Sequence, residues 1–235
     1  MSTGESHEAV AALLWGAPAQ QSGGKRGPKP KLTVEQIAEA GIAIADEHGL
    51  DAVTMQHVAE RLSATKMALY RYVSARTELE ALMLDRALGT PGEPGDGDWQ
   101  HALTRWALNL HERTSAHRWS VELVQRPHLP GPSELAWYEV GLATLEGLAL
   151  EPGEKLDVLA LLSGHVISIV RHEAGSGTPE ADLAGALVPV LTARAQDYPL
   201  TMAAFAQTGK QARDGALRFG IERVIAGVEA LISEH

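Results

Sequence analysis

The amino-acid sequence predicts an all-α protein in which a three-helix head precedes a longer helical region. Three observations carry that expectation. Apolar residues recur every three or four positions through most of the chain, and no strand-like alternation of useful length occurs. Residues 50 to 73 divide into two short helical runs at a tight polar turn, the helix-turn-helix pattern. Proline and glycine interrupt the runs where one helix should give way to the next. With 235 residues, 45% of them hydrophobic, the chain can build two modest domains. It has no cysteine, which excludes disulfide, cysteine-based zinc and thiol chemistry and suits a cytoplasmic setting.

The elements follow in order. Glu8 to Trp15 is a short apolar stretch without the charged start of a signal peptide and far too short to span a bilayer, so a turn or two of helix packed on its own or a neighbouring subunit is expected. Gly24 to Lys31 carries Lys25, Arg26, Lys29 and Lys31 with no acidic residue, and its proline and glycine content predicts a flexible cationic arm. Thr33 and Gln36 form a capping box, and Val34, Ile37, Ala38, Gly41 and Ala45 share one face, predicting a helix over about 33 to 48. Thr54 caps a second helix whose Met55, Val58, Ala59 and Leu62 face a core. Ser63 and Ala64 form the turn, and Thr65 caps a third helix with Leu69 and Val73 pointing back toward Leu62. A fourth helix, about 76 to 89, carries Leu79, Leu82, Met83 and Arg86 and stops at Gly89.

The third helix leaves Lys66, Met67, Ala68, Tyr70, Arg71 and Tyr72 facing outward. From Arg61 through Thr77 there are four basic residues, Arg61, Lys66, Arg71 and Arg76, and no acidic one, in a chain of net charge -10. A local reversal of sign is what a polyanion selects, and tyrosines and a methionine beside cations suit sugar-phosphate and thymine-methyl contacts in a major groove. A packed helix pair with a solvated basic face fits the same pattern. Next to a helix-turn-helix, the basic arm reads as a further DNA contact along the backbone or a narrow minor groove, with a merely basic linker as the alternative.

The stretch from Lys31 to Leu88 resembles the DNA-binding domain of the TetR family of bacterial transcriptional repressors. The resemblance rests on Leu-Thr-Val-Glu-Gln-Ile-Ala-Glu-Ala at 32 to 40, Ala-Asp-Glu-His-Gly-Leu-Asp-Ala-Val-Thr-Met at 45 to 55, Met-Ala-Leu-Tyr-Arg-Tyr-Val at 67 to 73 and Arg-Thr-Glu-Leu at 76 to 79. It implies a groove-facing set at Thr65, Lys66, Met67, Ala68, Tyr70, Arg71 and Tyr72, with Gln56 on the preceding helix. It also implies phosphate contacts from Thr54 and Tyr72, and from Arg76 in place of the usual lysine. The sequence departs from the family at Ser63, where glycine is common, at Lys66, where many relatives have proline, and at Ala75, where an asparagine usually caps the fourth helix and where Ser74 is a substitute. Expected divisions are 1 to 31 for the extension with its arm, 32 to 88 for the DNA-binding head, and 89 to 235 for an effector-binding and dimerisation region.

Beyond the head, helices are expected near 98 to 117, 119 to 126, 133 to 148, 154 to 173, 179 to 195, 199 to 208 and 213 to 233. This part holds the acidic excess, with eleven Lys and Arg against nineteen Asp and Glu over 87 to 235, so it should point away from DNA. Leu217, Gly220, Ile221, Val224, Val228 and Leu231 form one apolar stripe, which can cover the chain's own core or meet a second copy. The resemblance implies the second: 154 to 173 and 213 to 233 are the candidates for a four-helix homodimer interface, and Phe219 to Val228 is similar to the ending of the actinobacterial branch related to the tetracycline repressor. It also implies a cavity for a small-molecule effector of unknown identity among the central helices. Arg105, Trp106, Asn109, Leu110 and Arg113, with Trp119, Trp137, Tyr138 and His165, would make a mixed aromatic and polar wall suited to a flat or anionic organic molecule. The plainer account of each is a core or interface aromatic, an arginine paired with a carboxylate, or a hydrogen-bonded interior histidine.

The expected function is therefore a dimeric regulator, a repressor on the family's pattern, that binds an inverted-repeat double-stranded operator and is released by its effector. An architectural DNA-binding protein without an effector and an all-helical enzyme are the alternatives. The enzyme is the weaker, because no His-Glu-x-x-His, glycine-rich phosphate loop or nucleophile elbow occurs, and His111-Glu112 and His172-Glu173 lack a second histidine four residues on. No catalytic residue, metal, cofactor or membrane partner is expected.

Overall fold

The computed structural model describes residues 3–16, 32–93, 97–175, 179–208 and 215–234. Among them every regular element is helical: α1 (Thr3–Trp15), α2 (Val34–His48), a 3-10 turn (Leu50–Ala52), α3 (Met55–Arg61), α4 (Lys66–Leu69), α5 (Arg76–Leu88), α6 (Trp99–Ala116), α7 (Ser120–Val124), α8 (Pro132–Thr144), α9 (Pro152–Gly175), α10 (Pro179–Ala193), α11 (Pro199–Thr208) and α12 (Ala216–Glu234). No helix of the described residues is long and apolar enough to cross a membrane. The chain forms two compact units that interleave in sequence. One comprises 1–93 with 112–140, the other 94–111 with 141–235.

In the first unit, α2 begins at a reciprocal cap. Thr33 Oγ1 accepts from the Gln36 amide at 3.2 Å, and Gln36 Oε1 accepts from the Thr33 amide at 3.0 Å, satisfying two of the donors that every helix start leaves over. Its buried face, Ile37, Ala38, Ala40, Gly41, Ile44 and Ala45, packs on α5. Gly41 permits this approach, since a β-carbon there would come 2.7 Å from Met83 Sδ. Met55, Val58, Leu69, Val73, Leu79 and Met83 complete the small core. The apolar stretch at the N-terminus is a full helix, α1, whose Val10 is buried and which packs on α5.

Residues 112–140 are bound to this head by directed contacts. Asp46 in the last turn of α2 accepts from Trp119 Nε1 at 2.6 Å and from His117 Nδ1 at 3.0 Å. Asp85 on α5 accepts from the Ser133 amide at 2.7 Å, capping the start of α8, and a β-carbon on Gly131 would collide with its carboxylate. Trp137 Nε1 donates to the Gly89 carbonyl at 3.1 Å, and Trp15 Nε1 to the Pro130 carbonyl at 3.2 Å.

In the second unit, Val158, Leu159, Leu162, Val166 and Val170 form the buried face of α9, which packs along α12 through Ile221, Ile225 and Val228. The apolar stripe of the last helix thus lies against the chain's own α9, with Val224 and Leu231 only half-buried at its margin. His165 Nε2 faces the Ala216 and Leu217 carbonyls at 3.2 and 3.1 Å, directly over Gly220, where any β-carbon would strike the ring. Gln100 on α6 donates to Glu229 at 2.7 Å, and His111 Nε2 to Glu173 at 3.1 Å.

Candidate nucleic-acid interface

The turn between α3 and α4 shows how the exposed groups are placed. The Ser63 amide donates to the Glu60 carbonyl at 3.0 Å and the Ala64 amide to the Ala59 carbonyl at 2.9 Å, the paired bonds of a Schellman ending. Such an ending needs a left-handed residue, and Ser63 supplies it with φ of 50°. Glycine would adopt this conformation without the Cβ clash, so the departure at position 63 costs roughly 1 kcal/mol but leaves the geometry intact. Thr65 Oγ1 then accepts from the Ala68 amide at 3.3 Å, and Thr54 Oγ1 from the His57 amide at 3.1 Å, so both threonines work as helix caps.

α4 is short, from Lys66 to Leu69, and continues as hydrogen-bonded turns in which the Tyr72 and Val73 amides both donate to the Leu69 carbonyl. Leu69 and Val73 are fully buried and fix the orientation of what remains outside. Met67 is 71% exposed and Tyr70 43% exposed; Thr65, Lys66 and Arg71 are exposed, and Ala68 and Tyr72 half-buried. Gln56 is exposed beside them and donates to Glu60 at 2.5 Å.

The four cations of this region divide into two pairs. Arg61 makes a two-pronged bond to Glu47 at 2.6 and 3.0 Å, which raises the arginine's pKa and holds the Glu47 carboxyl below its ordinary value. Arg76 Nε donates to Glu80 at 2.7 Å, and a second Arg76 nitrogen to the Leu50 carbonyl at 3.2 Å. Lys66 and Arg71 have no carboxylate partner among the described residues. The expected phosphate contact from Arg76 would therefore compete with Glu80. Ala75 caps α5 with no side-chain bond. Ser74 does not cap the helix; its amide and hydroxyl both donate to the buried Glu78 carboxylate, at 2.6 and 2.5 Å, placing a negative charge in the first turn where the helix dipole favours it. Lys25, Arg26, Lys29 and Lys31 lie outside the described residues.

The nine residues considered for an effector wall fall in both units. Arg105, Trp106, Asn109, Leu110 and His165 belong to the second, with Trp106 and Leu110 buried, Asn109 half-buried and Arg105 exposed. Arg113, Trp119, Trp137 and Tyr138 belong to the first. Arg113 is exposed with its guanidinium against Gly89, and Tyr138 lies 36% exposed, while Trp119 and Trp137 are buried and spend their indole protons on Asp46 and the end of α5. Sequence reasoning missed Asp46 and Asp85, because a carboxylate on a helix surface gives no sign of the distant amide or indole that it will meet.

Two capped helices set at a left-handed turn, with free cations and an exposed tyrosine on the second, define a DNA-binding protein of the helix-turn-helix class. Residues 37–79 match the family described as bacterial regulatory proteins, tetR family, and residues 90–232 match the tetracyclin repressor-like C-terminal domain. The chain belongs to the TetR family and is a transcriptional regulator. It is similar to the HTH-type transcriptional repressor DrrR1 of Streptomyces coeruleorubidus, with 31% identity over 95% of this chain and 86% of that one. An HTH-type transcriptional regulator of Saccharopolyspora erythraea is 29% identical over 95% of this chain and 94% of its own length. Among solved structures, ActR from Streptomyces coelicolor in complex with actinorhodin aligns with a TM-score of 0.75 at 25% identity, covering 88% of this chain and 99% of that one.

Proposed function

We propose that this protein is a homodimeric repressor that binds an inverted-repeat operator with Lys66, Tyr70 and Arg71 in the major groove and is released by a small organic effector. The observation that carries the reading is the division of cations. Of the four basic residues around the turn, the two on the exposed face of α4 and its extension are left for an outside anion. The surrounding acidic chain makes that patch the favoured landing place for a duplex. Thr65, Met67, Ala68, Tyr72 and Gln56 complete the proposed contact surface, and the basic segment with Lys25, Arg26, Lys29 and Lys31 adds backbone contacts. The protein would act in the cytoplasm, where its operator is.

Dimerisation through α9 and α12 is supported by what those helices leave uncovered. Leu156, Ala160, Leu161 and Gly164 on α9 and Phe219, Ala226, Gly227 and Ala230 on α12 are exposed and apolar or small, a composition suited to close helix packing against a copy. Two heads held this way would meet successive major grooves about 34 to 36 Å apart. Binding of a small-molecule effector is supported by the solved complex of ActR with actinorhodin. An effector favouring a different head separation lowers DNA affinity by its differential affinity for the two states. Selection of bound genomic fragments followed by footprinting tests the whole reading. The expected result is protection of an inverted repeat at nanomolar protein, and protection of unrelated sequences alike would overturn it in favour of an architectural role.

A further inference from the structure

Between α1, α5 and the segment that follows α7 lies a pocket of about 230 Å³ within the first compact unit. Val10, Ala81, Leu84, Leu123, Pro127 and Leu129 give it an apolar lining. His7, Thr77, Glu80, Arg126 and His128 also face it. The charges among them are already matched. Glu80 accepts from Arg76 at 2.7 Å and from Arg126 at 3.5 Å, and Arg126 also bonds Glu122, so two arginines balance two glutamates. His128 has an acceptor at each ring nitrogen, the Arg126 carbonyl at Nδ1 and Glu134 at Nε2, both at 2.8 Å. Satisfying both requires the doubly protonated ring, which balances Glu134 in turn, and the histidine's pKa is raised, chiefly by the Glu134 bond. A charged guest would enter with no counter-ion and lose its hydration, whereas a neutral one would not.

We propose that this pocket is a binding site for a neutral compound of one aromatic or alicyclic ring bearing a single hydrogen-bonding substituent, with α1 as its outer wall. The size fits, because an apolar cavity of about 150 Å³ already accepts benzene. The Thr77 hydroxyl and the exposed His7 ring offer the substituent a partner at the rim. His7 and Val10 precede both segments matched by the family models. The site stands independently of the effector proposed above and of DNA binding.

Saturation-transfer NMR on the full chain at about pH 6, where His128 is protonated, tests the site with 4-methylphenol and cyclohexanol as neutral probes and benzoate and benzylamine as charged ones. The neutral probes should bind, and the charged ones at least roughly tenfold more weakly. Ala81→Leu on α5 and, separately, Leu129→Phe should fill the pocket and weaken the neutral probes roughly tenfold, with circular dichroism confirming that each variant is folded. Absence of saturable binding by both neutral probes overturns the site, as does undiminished binding in a folded filled variant. Equal binding of charged and neutral probes overturns the assigned ligand class. Operator gel shifts run in parallel report on DNA binding alone, so failure there is distinguishable from failure here.

Discussion

Among the described residues, the face of α4 and the outer faces of α9 and α12 differ in what they expose. On and just after α4 the uncovered groups are mainly polar, Lys66, Tyr70 and Arg71, which water satisfies as well as a duplex does, with Met67 the one large apolar side chain among them. On the α9 and α12 pair they include Leu161 at 61% exposure and Phe219 at 65%, flanked by alanine and glycine, which water does not satisfy. The first suits the reversible, salt-sensitive contact proposed for the operator. The second favours burial, which the proposed dimer would supply. The difference teaches that the contact proposed as exchangeable and the one proposed as lasting are distinguished by chemistry as well as by position.

The sharpest way to break the comparison is at the reading surface. Replacing both Lys66 and Arg71 with alanine should cost about 1 to 3 kcal/mol of operator binding for each side chain that makes a bidentate base contact, while leaving the dimer intact. Unchanged gel-shift affinity would remove α4 from the interface. At the second surface, two substitutions on different sides of α12 should separate its inner face from its outer one. Ile221→Ala, against α9 of the same chain, should lose about 2 to 5 kcal/mol of stability to denaturant. Ala226→Glu, on the exposed face, should retain helicity yet shift light scattering to the monomer mass. If instead the Ala226→Glu variant kept the dimer mass, the copy-facing surface would lie elsewhere.

Two smaller effects sharpen the account of the head. Ser63→Gly relieves the left-handed serine and should gain up to about 1 kcal/mol, seen as a melting midpoint higher by a few degrees. A lower midpoint would mean that the serine side chain contributes more than its backbone strain costs. His128 gives a pH dependence of known sign. Its folded pKa is raised above the ordinary 6.5, first by the Glu134 hydrogen bond and then, against partial burial, by the Arg126 carbonyl. Its contribution is therefore full at pH below the unfolded value and is lost as pH rises through the folded value. The stability difference between wild type and His128→Gln should shrink across that rise. A difference constant from acid to alkaline pH would show that the bond to Glu134 does not depend on the proton.

The head was largely legible in the sequence because its determinants are local. Thr33 with Gln36, Thr54 and Thr65 cap helices through atoms three residues away, and Leu69 and Val73 declare their face by spacing alone. The substitution of Ser74 for the missing cap at Ala75 was the exception. Its protons go to Glu78, a choice set by the buried site that Glu78 occupies rather than by the helix start itself. In α12 the apolar stripe was equally visible, yet the same periodicity is compatible with two partners, and only the packing of Ile221 and Val228 on α9 assigned it to the chain's own core.

By itself, then, the sequence determined the helices of the head, the caps at Thr33, Thr54 and Thr65, the turn at Ser63 and the exposure of Lys66, Met67, Tyr70 and Arg71, since each depends on interactions within a few residues of chain. Only the tertiary structure decided that Arg61 is occupied, because Glu47 reaches it from another helix through folding, whereas Arg76 meets Glu80 at the i,i+4 spacing of a single helix. It alone joined residues 112–140 to the head through Asp46 and Asp85, and it alone made α1 the wall of a pocket. Such contacts span tens of residues, and the free energy that selects one distant partner over another comes from the shared burial of both.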